Sequence, residues 1–340
     1  MTSDVPFVSG GHRVIAHSLV SALRERGFES ELCTTPQNRF GRQASAYLAT
    51  RWTDLELTGD GFPVDQIISL RFPSYAARHP RHVCWLNHRM REYYDRWASF
   101  SATLGRAARL KETARRFVIR RIDDYLLRRV TRLLAQSRNV QNRLRRWGGL
   151  EADVVYPPPP PRAYRTEAYD PFILFVGRLH PLKRPELLLE ALARLPGATL
   201  RGVWVGQGEL LERLRDRAAA LGLGPRVELR GWVDEAELVE LYARCRAVVY
   251  PPVDEDYGLV TLEAFRSRKP LVTARDSGGP TELVRDGDNG FVIEPEVEAL
   301  ASALGRLASE SGLAQRLGER GYEAARPITW EAALQHLVLR

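Results

Sequence analysis

The sequence predicts an α/β protein made of two doubly wound domains with parallel sheets. Three observations lead there. The second half alternates short apolar strands with helical segments almost without interruption, five consecutive prolines break the chain near its middle, and 340 residues suffice for two domains with separate cores. A composition of 44% hydrophobic and 27% charged residues is that of a soluble globular protein.

In the second half the strands are expected at Phe172 to Val176, Leu200 to Val205, Val227 to Leu229, Ala247 to Tyr250, Pro270 to Thr273 and Gly290 to Ile293. Each is short and apolar on both faces, as strands covered by helices on two sides are. Right-handed crossovers then leave little topological freedom. In the first half, a Gly10-Gly11 turn precedes a helix from Val14 to Arg26 that stops at Gly27. Strands are expected at Ser30 to Thr34, Gln66 to Leu70, His82 to Leu86, Arg132 to Ser137 and Asp153 to Tyr156, with a short helix from Arg138 to Trp147. Pro157 to Pro161 cannot enter a sheet or helix interior and reads as a stiff extended connector. The expected domains are therefore residues 1–160 and 161–326, followed by a tail, 327–340, that carries a final helix.

The formal charge of +8 is unevenly spread, because residues 101–150 carry 14 Lys and Arg against 3 Asp and Glu. Within them, Arg106 to Arg132 is a long helical pattern with Leu110, Ala114, Val118, Ile122, Leu126 and Val130 four apart and arginines on most other faces. A solvated basic face accounts for it; a surface attracted to anionic lipid head groups is the sharper alternative, giving a peripheral membrane contact through 106–132. Nucleic acid is not expected as a partner, since no aromatic interleaving or nucleic-acid motif accompanies the arginines. No apolar run reaches the ~18–20 residues of a membrane span and no signal peptide opens the chain, so a cytoplasmic protein is expected, with any membrane contact at the inner face. Cys33, Cys84 and Cys245 are too far apart for a metal or C-x-x-C motif and read as small buried residues.

The stretch richest in chemistry is Tyr250-Pro251-Pro252-Val253-Asp254-Glu255-Asp256-Tyr257-Gly258-Leu259-Val260-Thr261-Leu262-Glu263-Ala264-Phe265. It reads as a buried strand, a Pro-broken acidic loop, and a helix opening near Gly258 whose first N–H groups are free to meet a phosphate. Glu255 and Glu263 flank that helix start. Asp254-Glu255-Asp256 also has the D-x-D form of some metal-dependent transferases, but the surrounding register favours the pair of glutamates, and no metal site is expected.

Glu255 through Glu263 resembles the E-x7-E signature of retaining glycosyltransferases of the GT-B fold, in particular glycosyltransferase family 4. The resemblance implies two Rossmann-like domains facing a cleft. It also implies that Glu255 contacts the donor sugar, that Gly258 and Leu259 offer backbone N–H groups to the diphosphate with Tyr257 and Val260 beside them, and that Glu263 holds the ribose. Gly177-Arg178-Leu179-His180-Pro181-Leu182-Lys183 resembles the family's donor-phosphate loop, which makes Gly177, Arg178 and Lys183 site residues. By the same likeness Trp232 and Val233 lie by the nucleotide base, and His88, at the end of the His82 to Leu86 strand, faces the donor sugar, with His79 and His82 as rivals. Gly10 and Gly11 resemble the family's first-domain glycine loop, next to which His12 is a departure. Family members usually have a hydrophobic strand before that loop; here the chain reaches it almost at once, so a first domain lacking its first strand is expected. The final helix is expected to cross back to the first domain.

The implied activity is transfer of a hexose from a nucleotide-diphosphate sugar to a glycan or lipid-linked acceptor in surface polysaccharide or glycoconjugate synthesis, without a cofactor. Glu-Asp-Tyr-Gly-Leu-Val loosely resembles mannosyltransferases, which makes GDP-mannose the first donor to consider and other sugars such as UDP-sugars the next. A phosphorylase or epimerase of the same fold, or a non-catalytic nucleotide-binding module, stays open as an alternative. Gly206-Gln207-Gly208 lacks a third glycine and is a weak dinucleotide signal.

Overall fold

The computed structural model describes residues 1–4, 10–37, 41–195 and 200–339. Residues 5–9 of the run that opens the chain, where the missing strand was at issue, are outside the described residues. The chain divides into two units, Met1–Pro160 with Ile328–Arg340, and Pro161–Pro327.

In the first unit β1 (Thr2–Asp4) is followed by α1 (Gly11–Arg24), β2 (Thr34–Pro36), α2 (Gln43–Trp52), β3 (Ile67–Ser69) and β4 (His82–Leu86). Then come α3 (Trp97–Ala102), α4 (Arg106–Leu127), β5 (Arg132–Ala135), α5 (Arg138–Gly148) and β6 (Asp153–Val154). β3, β4, β5 and β6 form a parallel sheet in that order, and β1 pairs parallel with β2. Met1 links the two: its carbonyl accepts from Leu70 N at 3.2 Å and its amino group donates to Ile68 O at 2.6 Å.

A strand is thus present ahead of the glycine turn, contrary to expectation. It escapes a hydrophobic pattern because it is polar: Thr2 and Ser3 are buried, and Ser3 Oγ donates to Phe72 O. The second strand is also displaced from Ser30–Thr34 to Thr34–Pro36, because residues 28–34 are largely exposed and carry no buried face.

α4 buries only Leu126 of the six aliphatics that mark its helical pattern in the sequence. Its buried side chains are Glu112, Ile119, Asp123, Leu126 and Leu127, whereas Leu110, Phe117, Val118, Ile122 and Tyr125 are exposed. Two carboxylates seat this helix alongside Ile119, Leu126 and Leu127. Asp123, with 0% exposure, accepts hydrogen bonds from the hydroxyls of Tyr47, of Tyr75 at 2.5 Å and of Tyr94 at 2.7 Å. Glu112 accepts from Tyr93 at 2.6 Å. Burial holds the Asp123 carboxyl above the usual range even against those three donors and the nearby Arg89.

Pro157 to Pro160 are buried, so the proline run is packed rather than a solvated spacer.

The second unit is one six-stranded parallel sheet in the order β12-β11-β10-β7-β8-β9. Its elements are β7 (Phe172–Val176), α6 (Pro185–Ala193), β8 (Arg201–Val205), α7 (Leu211–Ala220), β9 (Val227–Gly231), α8 (Glu235–Arg244), β10 (Ala247–Val249) and α9 (Leu259–Arg266). β11 (Leu271–Ala274), α10 (Pro280–Leu283), β12 (Gly290–Ile293), α11 (Val297–Ser309) and α12 (Leu313–Ala325) complete it. Phe175, Leu188, Trp204, Val249 and Leu304 belong to its core. The chain leaves β7 for β8 on one side and reaches β10 on the other, so the strand order reverses at β7. In open α/β sheets that switch point is where the strand ends form a crevice, and it places the loops after β7 and β10 side by side. The last helix, α13 (Trp330–Leu337), belongs to the first unit: Trp330 Nε1 donates to Pro159 O at 3.3 Å and its ring meets Trp85 edge-on.

Lys269 is fully buried between α9 and β11, with its ammonium on Ala168 O and 3.7 Å from the Tyr169 ring centroid. Burial lowers its pKa from 10.5 to about 8. Between those values the unfolded chain binds more protons than the folded one, so the contribution of Lys269 to stability rises with pH across that window and is least favourable below it. Lys269→Met is therefore expected to raise the melting temperature at neutral pH, with the gain shrinking towards pH 10.5. Melting curves at both pH values measure this; an equal gain at both would contradict it.

Candidate active site

The loop after β7 is shaped by backbone contacts. Gly177 N donates to Val205 O at 2.9 Å and Leu179 N to Gln207 O at 3.0 Å, which ties residues 177–179 to the loop after β8. Gly206 and Gly208 make this possible: a Cβ would stand 2.0 Å from Gly177 O at the first and 2.3 Å from Leu179 O at the second. The G-x-G turn thus packs against the Arg178 loop, a role unlike a dinucleotide fingerprint. His180 caps the next turn, Pro181–Lys183, by accepting from Leu182 N at 3.1 Å. Arg178 is exposed and makes no ion pair with the described residues.

The loop after β10 is tied to the same place. Val253 N donates to Leu182 O at 2.7 Å, and Arg184 bridges the loops by pairing with Asp276 and reaching Pro251 O. Glu255 is held in extended pairing with Ser277 and Gly279 through hydrogen bonds of 2.8 and 2.9 Å. Gly258 then caps α9 at φ 88°, a left-handed conformation that favours glycine. The N–H groups of Leu259 and Val260 have no acceptor among the described residues. A helix opening in this way favours an anion, by its dipole and by its N–H groups.

These parts meet around Tyr250. Its hydroxyl accepts from Lys183 Nζ at 2.9 Å, one ring edge lies 3.0 Å from where a Gly258 Cβ would be, and the other lies 3.7 Å from the same point at Gly177. Lys183 also forms an ion pair with Glu255. Burial alone would lower the Lys183 pKa, but attraction from Tyr250 and Glu255 and their hydrogen bonds outweigh it and raise it, so the ammonium is charged. Gly177, Lys183, Glu255 and Gly258 thus come together; Tyr250, which the sequence marked only as a strand end, is the piece that gathers them.

Glu263 faces elsewhere. It is 5% exposed on α9, and both carboxylate oxygens are engaged, one by Arg162 at 2.5 Å and Tyr164 at 3.5 Å, the other by Tyr242 at 2.9 Å. Burial would lower Arg162, yet the Glu263 charge outweighs it and the guanidinium is raised. Tyr257 is buried, Leu259 and Val260 are half-buried, and Val233 is half-buried beside Trp232, which is 75% exposed.

In the first unit His88 follows β4, partly buried, with Nδ1 2.7 Å from Arg89 O. The rival histidines are occupied: His79 Nε2 bonds Val64 O at 2.7 Å, and buried His82 bonds Ser69 Oγ at 2.8 Å. Gly10 caps α1 and Gly11 begins it. Beside them burial, with help from the charges of Arg71 and His88, pushes His12 down to about 3, so its ring is neutral at physiological pH. Among the described residues no group of three His, Cys, Asp or Glu side chains is placed to hold a metal ion.

Two units built on parallel sheets, with helices between the strands, are the architecture of the GT-B fold, and the likeness to solved structures shows that fold for this chain. Solved structures agree over almost the whole chain. HepE of Anabaena, solved with UDP and glucose, superposes with a TM-score of 0.70 at 18% identity, covering 98% of this chain and 96% of that one. Sucrose-phosphate synthase of Thermosynechococcus elongatus gives 0.76 at 20% identity with the same coverage. Residues 162–324, most of the second unit, match the family model described as glycosyl transferases group 1.

Among curated relatives, the D-inositol 3-phosphate glycosyltransferase of Nocardia farcinica is 35% identical over 179 residues, which are 50% of this chain and 40% of that protein. The lipopolysaccharide core biosynthesis glycosyltransferase LpsE of Rhizobium meliloti is 35% identical over 160 residues, 46% of this chain and 45% of that protein. The chain spans less than half the length of these two relatives.

Proposed function

We propose that the protein is a retaining glycosyltransferase that moves a hexose from a nucleoside-diphosphate sugar to a hydroxyl of a glycan or lipid-linked acceptor. The observation that carries this reading is the gathering of Lys183, Glu255, Gly177 and the open start of α9 around Tyr250 at the switch point. Breaking the bond between the anomeric carbon and the diphosphate sends the electron pair to the diphosphate oxygen. Lys183, the exposed Arg178 and the N–H groups of Leu259 and Val260 are suited to receive that charge, and such pre-placed electrostatics are often the largest catalytic contribution. The acceptor oxygen attacks the same face of the sugar, and its proton goes to the departing phosphate oxygen. In this reading Glu255 and His88 orient the sugar, Glu263 lies by the ribose, and Trp232 by the base.

HepE was solved with UDP and glucose, and this supports a UDP-sugar as donor; GDP-mannose, suggested by the Glu255–Val260 stretch, is the second donor to test. The two curated relatives act in inositol phosphate and lipopolysaccharide core glycosylation by their names, which supports an acceptor in glycoconjugate synthesis. A cytoplasmic location belongs to the same reading; among the described residues no helix is long and apolar enough to cross a membrane.

Thermal melting with UDP, GDP, ADP, dTDP and their sugars tests the donor site. A ligand of the folded state stabilises by about 2.7 kcal/mol at a hundred times its Kd. A selective rise with one base is expected, followed by release of that nucleoside diphosphate only when an acceptor is present. Absence of any shift in a folded chain overturns the reading, and release of nucleoside diphosphate only with an acceptor excludes the phosphorylase and epimerase alternatives.

A further inference from the structure

α4 buries Glu112 and Asp123 and leaves a stripe of apolar side chains on its outer face. Leu110, Ala114, Phe117, Val118, Ile122 and Tyr125 follow the helical repeat along one exposed stripe, about 22 Å long at 1.5 Å per residue. Leu110 is 75% exposed and Phe117 61%. Arg106, Arg109, Lys111, Arg121, Arg128 and Arg129 are exposed around that stripe, and no exposed Asp or Glu lies between Arg106 and Arg129. The reason is visible on the other side of the helix. Glu112 and Asp123 are buried against tyrosines, and Asp124 is held 3.1 Å from Arg89.

We propose that this face of α4 docks on the surface of a bilayer rich in anionic lipid. Its occupant must offer two chemistries at once, an apolar layer for the stripe and negative charge for its borders. Nucleic acid would answer the cations and leave Phe117, Val118 and Ile122 in water. The headgroup region of an anionic bilayer answers both, since side chains of this kind sink to the acyl boundary while arginines remain among phosphates. The arginines are placed for it: the Arg121 guanidinium lies 5.1 Å from the Phe117 ring centroid and that of Arg129 5.3 Å from the Tyr125 centroid. The proposal commits the membrane contact to one face, and it stands apart from the donor site, whose failure would leave it untouched.

Co-sedimentation of the full chain with vesicles tests it, using phosphatidylcholine alone and an equal mixture of phosphatidylcholine and phosphatidylglycerol. Binding is expected to the mixed vesicles and not to the neutral ones. The double variant Phe117→Ser with Ile122→Ser changes only exposed positions and is expected to lower partitioning by about tenfold or more. Arg109→Glu with Arg121→Glu is expected to lower it by a similar factor, roughly tenfold, and to flatten its dependence on salt. Circular dichroism of each variant should match the parent. Equal binding to neutral vesicles, no binding to either, or variants that bind like the parent would overturn the proposal. So would a dimer of the parent chain that the serine variant dissolves, because the stripe would then cover a second copy, or retention on duplex DNA in place of the vesicles.

Discussion

Replacing Lys183 with alanine is expected to lower sugar transfer by about two to three orders of magnitude, the scale at which loss of one pre-placed donor to a developing charge is felt. The structure gives the reason and the control together. Lys183 is the cation of the Tyr250 cluster, held by the Tyr250 hydroxyl and the Glu255 carboxylate, so its removal takes that positive charge out of the cluster. Its side chain keeps 21% exposure and that of Glu255 24%, so the carboxylate left behind can be hydrated. Stability should change by no more than about 1 kcal/mol, as for other partly solvated pairs. The measurement is turnover with a saturating donor, alongside a melting curve. Near-normal turnover in a folded variant would remove Lys183 from the machinery, and with it the main support for the proposed function.

The second large effect is structural. Asp123→Ala should weaken the seating of α4 by about 3–5 kcal/mol, because it leaves the hydroxyls of Tyr47, Tyr75 and Tyr94 without their shared acceptor in a site closed to water. Tyr75→Phe, which removes one of the three donors, should cost only about 1 kcal/mol. Hydrogen exchange at the α4 amides reads this directly, since the opening free energy of one helix is resolved even when the two units unfold separately. If α4 amides exchange in Asp123→Ala as slowly as in the parent, the helix is held by its other buried contacts, Ile119, Leu126, Leu127 and the Glu112–Tyr93 bond.

Where burial is written in consecutive residues the sequence was legible. β4, β7 and β12 lie where their apolar runs end at polar or glycine residues. β1 was not legible, because Thr2 and Ser3 are buried through hydrogen bonds that leave no trace in a hydropathy pattern. α4 was legible as a helix, but the face it buries was not: the tyrosines that draw Asp123 inward stand 29 to 76 residues away, and a four-residue spacing of aliphatics says nothing of them. The same limit applies to the candidate site. Glu255 and Lys183 were chosen by a family likeness, but their pairing across 72 residues was not visible, nor was the engagement of Glu263 by Arg162, 101 residues away. Tyr250 and Arg184 had no signal at all, since a tyrosine at a strand end and an arginine in a loop are ordinary residues until the fold sets them beside others.

The locked glycines have a thermodynamic consequence. With Gly206 and Gly208 pressed on the carbonyls of Gly177 and Leu179, the backbone of the Arg178 loop has no room for alternative paths. A ligand meeting this loop would find its main chain already ordered, and the conformational entropy lost on binding would be chiefly that of the Arg178 side chain, at most about 1.5–2 kcal/mol. Substitution at either glycine should therefore appear in calorimetry as a less favourable binding entropy, even where every charged group of the site is retained.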